Sequence, residues 1–385
     1  MSLSLTLLVL LSHQSGTVRV KTGDEFRQAM ENAKPGTRIL LAPGDYPGGF
    51  HFKNISGTLA KPIVIAAEDA RKPPRFVGGN NAIQLSDCND IQIQDIVATG
   101  QRGNGLNIDD GGTPETPCQR IRLDRVRVSD LPKGNFDGIK LSGVENFFVM
   151  DCTVERWGGS GIDMVGCHVG LIAGCTFRNG GDSGVQCKGG TSDVSILKSR
   201  FEDFGQRGVN AGGSTGLTYF RPPIEKMPPN ARYEARNISI QGCTFSGGTA
   251  PIAFVGVDGA QVRFNTIYNP ERWAFRILQE TATPDFIRCR LGIWDNNLIV
   301  FKSDRWFSGG ANVGGGTSPE TFRFVRNFWY CLDRPDRSKP TLPTEELVGT
   351  YGVDPMLKDP QKGDLGVKAG SPAMKVGAHA FGQFY

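Results

Sequence analysis

Short apolar runs of alternating character recur along most of the chain. Five-residue segments opening at Asn81 (NAIQL), Asn104 (NGLNI), Asp137 (DGIKL), Ser160 (SGIDM), Ser183 (SGVQC), Arg207 (RGVNA), Ala250 (APIAF) and Trp273 (WAFRI) align with one another, and the stretch around Asn312 continues them more weakly. The starts at 137, 160, 183 and 207 are spaced 23, 23 and 24 residues. Residues three and five of each segment face inward and residue four faces out, the period of a strand with one buried face. Each unit carries a second such run, at 91–96, 121–126, 147–154, 169–177, 194–201, 238–245, 262–267, 291–299 and 322–329, bounded by Gly, Asn or Asp. A unit of this length holding two or three short strands makes one coil of a solenoid. Stacked coils then pair each strand in parallel with its equivalent, about 4.8 Å away. The inward positions mix Ile, Val, Leu, Met, Cys and Phe, unlike the Leu framework of leucine-rich repeats, and propeller blades have about twice this period. The pattern predicts an all-β, right-handed parallel β-helix over residues 17–335.

The ends of a solenoid expose strand edges and core, so each needs a cover. Residues 24–33 (DEFRQAMENA), stopped by Pro35 and Gly36, read as a short amphipathic capping helix. Residues 336–385 lose the repeat and are rich in Pro and Gly, which suits a tail that packs back along the solenoid or closes its end. At the other extreme, residues 1–16 hold a short apolar run at 3–11. It is too short to span a bilayer and reads as the core of a secretory signal or as an N-terminal strand. A secreted or periplasmic location is expected.

Composition narrows the class. The 51 glycines and 23 prolines fit many short elements joined by many turns. A formal net charge of +4 without any Lys/Arg block argues against a nucleic-acid surface. The nine cysteines include no CxxC pair, which disfavours a metal or disulfide framework. Cys152, Cys175 and Cys243 share one column of the repeat with Ser199, followed by Asn265, Asn296 or Asn297, and Asn327. They are expected as buried thiols in an internal ladder.

The outward column of the segments reads Gln84, Asn107, Lys140, Asp163, Gln186, Asn210, Ala253, Arg276 and Asn312. A second, two residues on, includes Ser86, Asp109, Ser142, Val165 and Lys188. Two insertions follow this strand, at 110–119 and 214–235, and would rise beside the Lys140–Asn210 ribbon, about one coil beyond it on either side, together walling a groove. The larger brings Tyr219, Phe220, Arg221, Lys226 and Tyr233, residues suited to sugar rings and acidic groups. Elimination at a uronic acid needs a cation for the carboxylate, a base for the C5 proton and an acid for the leaving oxygen. Lys140, Asp163, Lys188, Arg221 and Tyr219 are the candidate catalytic set, with His168 a further basic group. Asn107, Asp109, Gln186, Arg207, Asn210 and Arg276 are candidates for substrate binding. Hydrolysis by Asp163 with Asp109 or Asp137 is the alternative, and a non-catalytic glycan-binding protein is a third. Asp109 with Asp110, or Asp163 with Asn210 and Gln186, could offer oxygen ligands to Ca²⁺.

The opening AKPGTRILLAPGDYPG and SGTLAKPIVIAAED, with the closing GVDPMLKDPQKGDLGVKAGSPAMKVGA, resemble bacterial β-helix proteins of polysaccharide lyase family six, the alginate lyase and chondroitinase B type. The resemblance implies a pectate-lyase-like fold and an acidic polysaccharide substrate, handled by a monomer without a membrane span. That family uses a Lys and an Arg on successive coils. The motifs flanking them are not found here, so the site residues rest on the groove alone.

Overall fold

The computed structural model describes residues 16–383; the apolar run at 3–11 lies outside them. Three long parallel sheets, of ten, twelve and fourteen strands among the described residues, run the length of the molecule. One coil visits each sheet once. Ser160–Val165 lies in the ten-stranded sheet, His168–Ala173 in the fourteen-stranded and Thr176–Arg178 in the twelve-stranded, before the chain re-enters the first at Ser183. Pairing is residue on residue. Asn107 sits against Lys140, Lys140 against Asp163, Asp163 against Gln186, and Gln186 against Asn210. The outward column inferred from the repeat is therefore one physical row.

The interior stacks like on like. Phe177, Phe201 and Phe245 form a pile with ring centroids 4.8 and 4.7 Å apart. All nine cysteines are buried and unpaired. Cys175 N–H donates to Ser199 Oγ at 3.2 Å and Cys243 N–H to Asn265 Oδ1 at 2.9 Å. Asn265 donates to Asn297 Oδ1, and Asn297 to Asn327 Oδ1, each through backbone and side-chain nitrogen at 2.9–3.0 Å. Asn297, not Asn296, is thus the ladder residue. Glu346 ends the row by accepting from Asn327, Trp329 and Tyr351. Each amide satisfies a turn N–H that the core would otherwise leave unpaired.

The N-terminal plug is the helix Gly23–Glu31, started by Thr22, whose hydroxyl accepts from Glu25 N–H at 3.2 Å. Phe26, Ala29 and Met30 are buried, and Phe26 packs edge-on against Phe50, Phe52 and Phe76. Burying Phe26 and Met30 contributes roughly 1.5–3 kcal/mol each and removes the first coil's apolar face from water. At the far end, Glu346–Leu347 and Thr350–Tyr351 extend two of the sheets. A hairpin of Leu357–Asp359 and Asp364–Val367 then folds back along the side, where Leu365, Val367 and Ala373 cover Tyr268, Leu298, Val300 and Phe328. Among the described residues no helix is long and apolar enough to cross a membrane.

Asn297→Ala would leave two buried groups without partners. We expect a loss of about 1–3 kcal/mol in denaturant unfolding, with the strand content of the native state unchanged.

Candidate active site

The polar ribbon lies on the outward face of the ten-stranded sheet. Its centre is four charged side chains from three successive coils and one strand start. Lys140 Nζ donates to Asp163 Oδ2 and lies 3.6 Å from Asp137 Oδ2. Lys188 Nζ stands 3.2 Å from Asp163 Oδ1. That oxygen has no aligned hydrogen bond, so Lys188 is held by charge rather than by a directed bond. Lys188 also donates to Gln186 Oε1 at 3.5 Å, and Ser160 Oγ to the same oxygen at 3.1 Å. Asp163 is only 1% exposed although its strand position faces outward, because the lysine stems close over it.

Asp137 belongs to a different row. Asn104 N–H donates to Asn81 Oδ1, Asp137 N–H to Asn104 Oδ1, and Ser160 N–H to Asp137 Oδ1, at 2.8–3.0 Å. The carboxylate thus continues an amide ladder and arrives beside Lys140. Burial first, then the charge of Asp163, raise its pKa to about 6, against the pull of Lys140. For Lys140 burial works to lower the pKa, but Asp163 and Asp137 outweigh it and the ammonium is held above its ordinary value.

The two insertions follow the strands Leu106–Asp109 and Arg207–Gly212. Both lie along the strand ends where the ten-stranded sheet turns into the fourteen-stranded one, and they are joined to each other. Arg221 makes a two-pronged ion pair with buried Asp110, and Lys226 Nζ contacts Glu115 at 2.7 Å. The Arg221 side chain lies over Gly143 and Gly166, where any Cβ would meet it within 3 Å, and the Arg221 backbone N–H donates to Gly189 O at 3.0 Å. Phe220, Met227 and Tyr233 of the larger loop form a small core with Phe286, which comes from the connection between Leu278 and Arg290. Phe220 and Tyr233 therefore face inward and offer no stacking surface to a sugar, while Tyr219 is 64% exposed. Buried Glu234 anchors the loop by accepting from Gly189 N–H, Thr215 N–H and Thr215 Oγ1 at 2.7–3.0 Å.

The structure thus gathers Lys140, Asp163, Lys188 and Gln186, with Asp137 and Ser160, and places Arg221 and Tyr219 in the adjoining wall. Asn107 and Asp109 lie in an amide network joined to the Asp137 row through Asn104, in which Asp109 accepts from Gln84 at 3.0 Å and Asn107 at 2.7 Å. Asp109 is held there rather than beside Asp163. His168 shares a hydrogen bond with Ser192 Oγ at 3.0 Å, and burial lowers its pKa. Arg207, Asn210 and Arg276 extend the ribbon beyond Gln186. Of the oxygen sets considered for Ca²⁺, Asp110 is committed to Arg221 and Asp163 to two ammonium groups, a setting that repels a dication. Among the described residues no three His, Cys, Asp or Glu side chains are grouped to hold a metal.

The family model described as "Right handed beta helix region" matches residues 81–222, the stretch that carries both the clearest repeats and the charge cluster. The fold is a right-handed parallel β-helix. No curated protein sequence matches the chain. Among solved structures, this β-helix is similar to an alginate lyase from Paenibacillus sp. str. FPU-7, with a TM-score of 0.53 and 17% identity over 78% of this chain and 99% of that one. It is similar to a rhamnogalacturonan lyase, with a TM-score of 0.57 and 14% identity over 78% and 82%. It is similar also to a lacto-N-biosidase from Eubacterium ramulus, with a TM-score of 0.51 and 15% identity over 88% and 67%. Identities this low carry the β-helix and no residue roles.

Two outcomes follow from the site's geometry. Arg221→Ala breaks the clamp between the insertions, and limited proteolysis is expected to cut within 214–235 at a protease level that spares the unaltered chain. Asp137 binds its proton more tightly folded than unfolded, so its contribution to stability is complete below 3.8 and is lost as pH rises through about 6. Asp137→Asn should therefore gain stability relative to the unaltered β-helix across that interval, measured by denaturant midpoints at successive pH values.

Proposed function

We propose that this β-helix is a secreted polysaccharide lyase that cleaves a uronate-containing chain by β-elimination on the ten-stranded sheet. The observation that carries this reading is the sharing of one buried carboxylate, Asp163, by two lysines from coils on either side of it. Asp137 is the second acidic partner of Lys140, which leaves Lys188, attached to Asp163 by charge alone, as the ammonium offered to an acidic sugar. Lys140, pinned by Asp163 and Asp137, stays protonated. It supplies fixed positive charge for the developing enediolate and a proton for the leaving oxygen. Lys188 lacks an aligned bond to Asp163 and is held by charge and by its 3.5 Å bond to Gln186. In its unprotonated form it takes the C5 proton. Asp163 orients both amines. Gln186, Asn210 and Arg276 line the track that holds the neighbouring sugars, and Tyr219 stands exposed at its wall.

The test is to incubate the protein with alginate, pectate and chondroitin and to follow the ultraviolet absorbance of an unsaturated uronate. Turnover that falls by about 10²-fold or more in Lys188→Ala supports the reading. Absence of the chromophore with every uronate polymer overturns it.

One observation favours a second reading, hydrolysis. Asp137 and Asp163 both reach Lys140, and the raised pKa of Asp137 suits a carboxylic acid that stays partly protonated near neutrality. A hydrolase would release reducing ends without the chromophore, and Asp137→Asn would abolish that release.

A further inference from the structure

The ribbon carries a second concentration of charge, toward its C-terminal end and apart from Lys140, Asp163 and Lys188. The strand Ala250–Val255 is where the outward positions become small. Ala253 lies between Asn210 and Arg276 in one row, and Ala250 pairs with Arg207 and is in step with Trp273 in the other. Both alanines are fully buried although they face outward, so the longer side chains on either side close over them. Arg207 Nη2 donates to Glu280 Oε1 at 2.5 Å. Arg276 Nε donates to Asn312 Oδ1 at 2.9 Å. The guanidinium groups of Arg276 and Arg272 lie 4.9 and 4.5 Å from the centre of the Trp273 ring.

Three guanidinium groups here face two carboxylates, Glu280 and, beside Arg207, Asp182. Burial, followed by the charge of Arg207, pushes Arg276 below its ordinary pKa; Glu280 opposes this and Arg272 adds to it. Two buried donors, Arg207 Nε and Trp273 Nε1, have no acceptor, and the buried Asn210 Oδ1 has no donor. Buried polar atoms are rarely left unpaired. Unmet donors beside surplus positive charge match an oxyanion, which accepts two-pronged bonds from guanidinium groups. The unmet Asn210 oxygen matches a neighbouring hydroxyl.

We propose that Arg207, Trp273 and Arg276 form a second recognition subsite that binds the carboxylate or sulfate of an acidic sugar residue, with Glu280 as the internal anion that the ligand displaces. The subsite rests on the reading of the ribbon as a polysaccharide track. It spans the coils one to three beyond that of Lys188, about 5–14 Å along the axis, so it reads a residue further along the chain than the one undergoing reaction. It makes the protein selective for polymers charged at more than one position.

The experiment is calorimetric titration of the full chain with a galacturonate hexasaccharide, its carboxyl-reduced counterpart and a chondroitin sulfate hexasaccharide. The unaltered protein is compared with Glu280→Gln and Arg276→Gln, and thermal melts establish that each variant is folded. Glu280→Gln removes the competing anion and should tighten an acidic ligand by about threefold or more. Arg276→Gln should weaken it by about tenfold or more. Neither should alter the carboxyl-reduced ligand. A response to the galacturonate hexasaccharide identifies a carboxylate, and a response to the chondroitin sulfate hexasaccharide alone, which carries carboxylates as well, identifies the sulfate. Unchanged or weaker acidic binding in Glu280→Gln, an equal change for the carboxyl-reduced ligand, or no binding of either acidic hexasaccharide to the unaltered protein overturns the subsite. Binding is read without turnover, so a chain that forms no unsaturated product yet responds to Glu280→Gln in this way would lose the lyase reading and keep the subsite.

Discussion

Parallel pairing of each strand with its equivalent one coil away is the constraint on which everything else depends. It places every side chain directly over a counterpart about 4.8 Å distant. Inside, this rewards repetition: rings stack on rings and amides bond to amides, as in the Phe177–Phe201–Phe245 pile and the Asn265–Asn297–Asn327 row. Outside, the same spacing penalises repetition of charge. Lys140, Asp163 and Lys188 satisfy it by alternating in sign from coil to coil, with a sideways step between the two outward columns.

That alternation does not account for the cluster as a stabilising feature. Removing a carboxylate and two ammonium groups from water is costly, and buried ion pairs seldom repay it relative to apolar residues of similar size. An outward strand position has no need of such a group, since a neutral polar side chain would meet solvent at little cost. The Asp163 cluster is thus a charged assembly where the fold requires none, and this weighs toward chemistry or recognition. The unmet donors around Trp273 weigh the same way, whereas the Arg221–Asp110 pair has an evident structural task.

The insertions show how a solenoid builds a site without disturbing its repeat. Glycines at 143 and 166 keep the turn beside the ribbon free of Cβ atoms, and Arg221 runs along the space they leave. One long loop can then be laid across several coils and tied at its far end to a shorter one. The result is a single continuous wall on one flank of the sheet, with the other flank left to the turns that lead into each strand.

The repeat by itself determined the coil, its register and the composition of every row. An alternating pentapeptide that recurs every 23 or 24 residues permits one stacking in which all apolar positions face inward, and a shift of one residue would turn them all to solvent. Lys140, Asp163 and Gln186 were legible as neighbours for that reason, as were the cysteine and asparagine ladders. Where the repeat lapses, so does legibility. Nothing in residues 214–235 encodes that Phe220 and Tyr233 turn inward while Arg221 reaches back to Asp110, because these contacts join positions 111 residues apart through loops with no period. Asp137, Ser160 and Trp273 occupy the first position of their segments, a column that pattern alone assigns to turn chemistry. Glu280 sits in a connection without any register. Side-chain length and the closure of long loops decided those placements, and both are settled only when the coils are stacked.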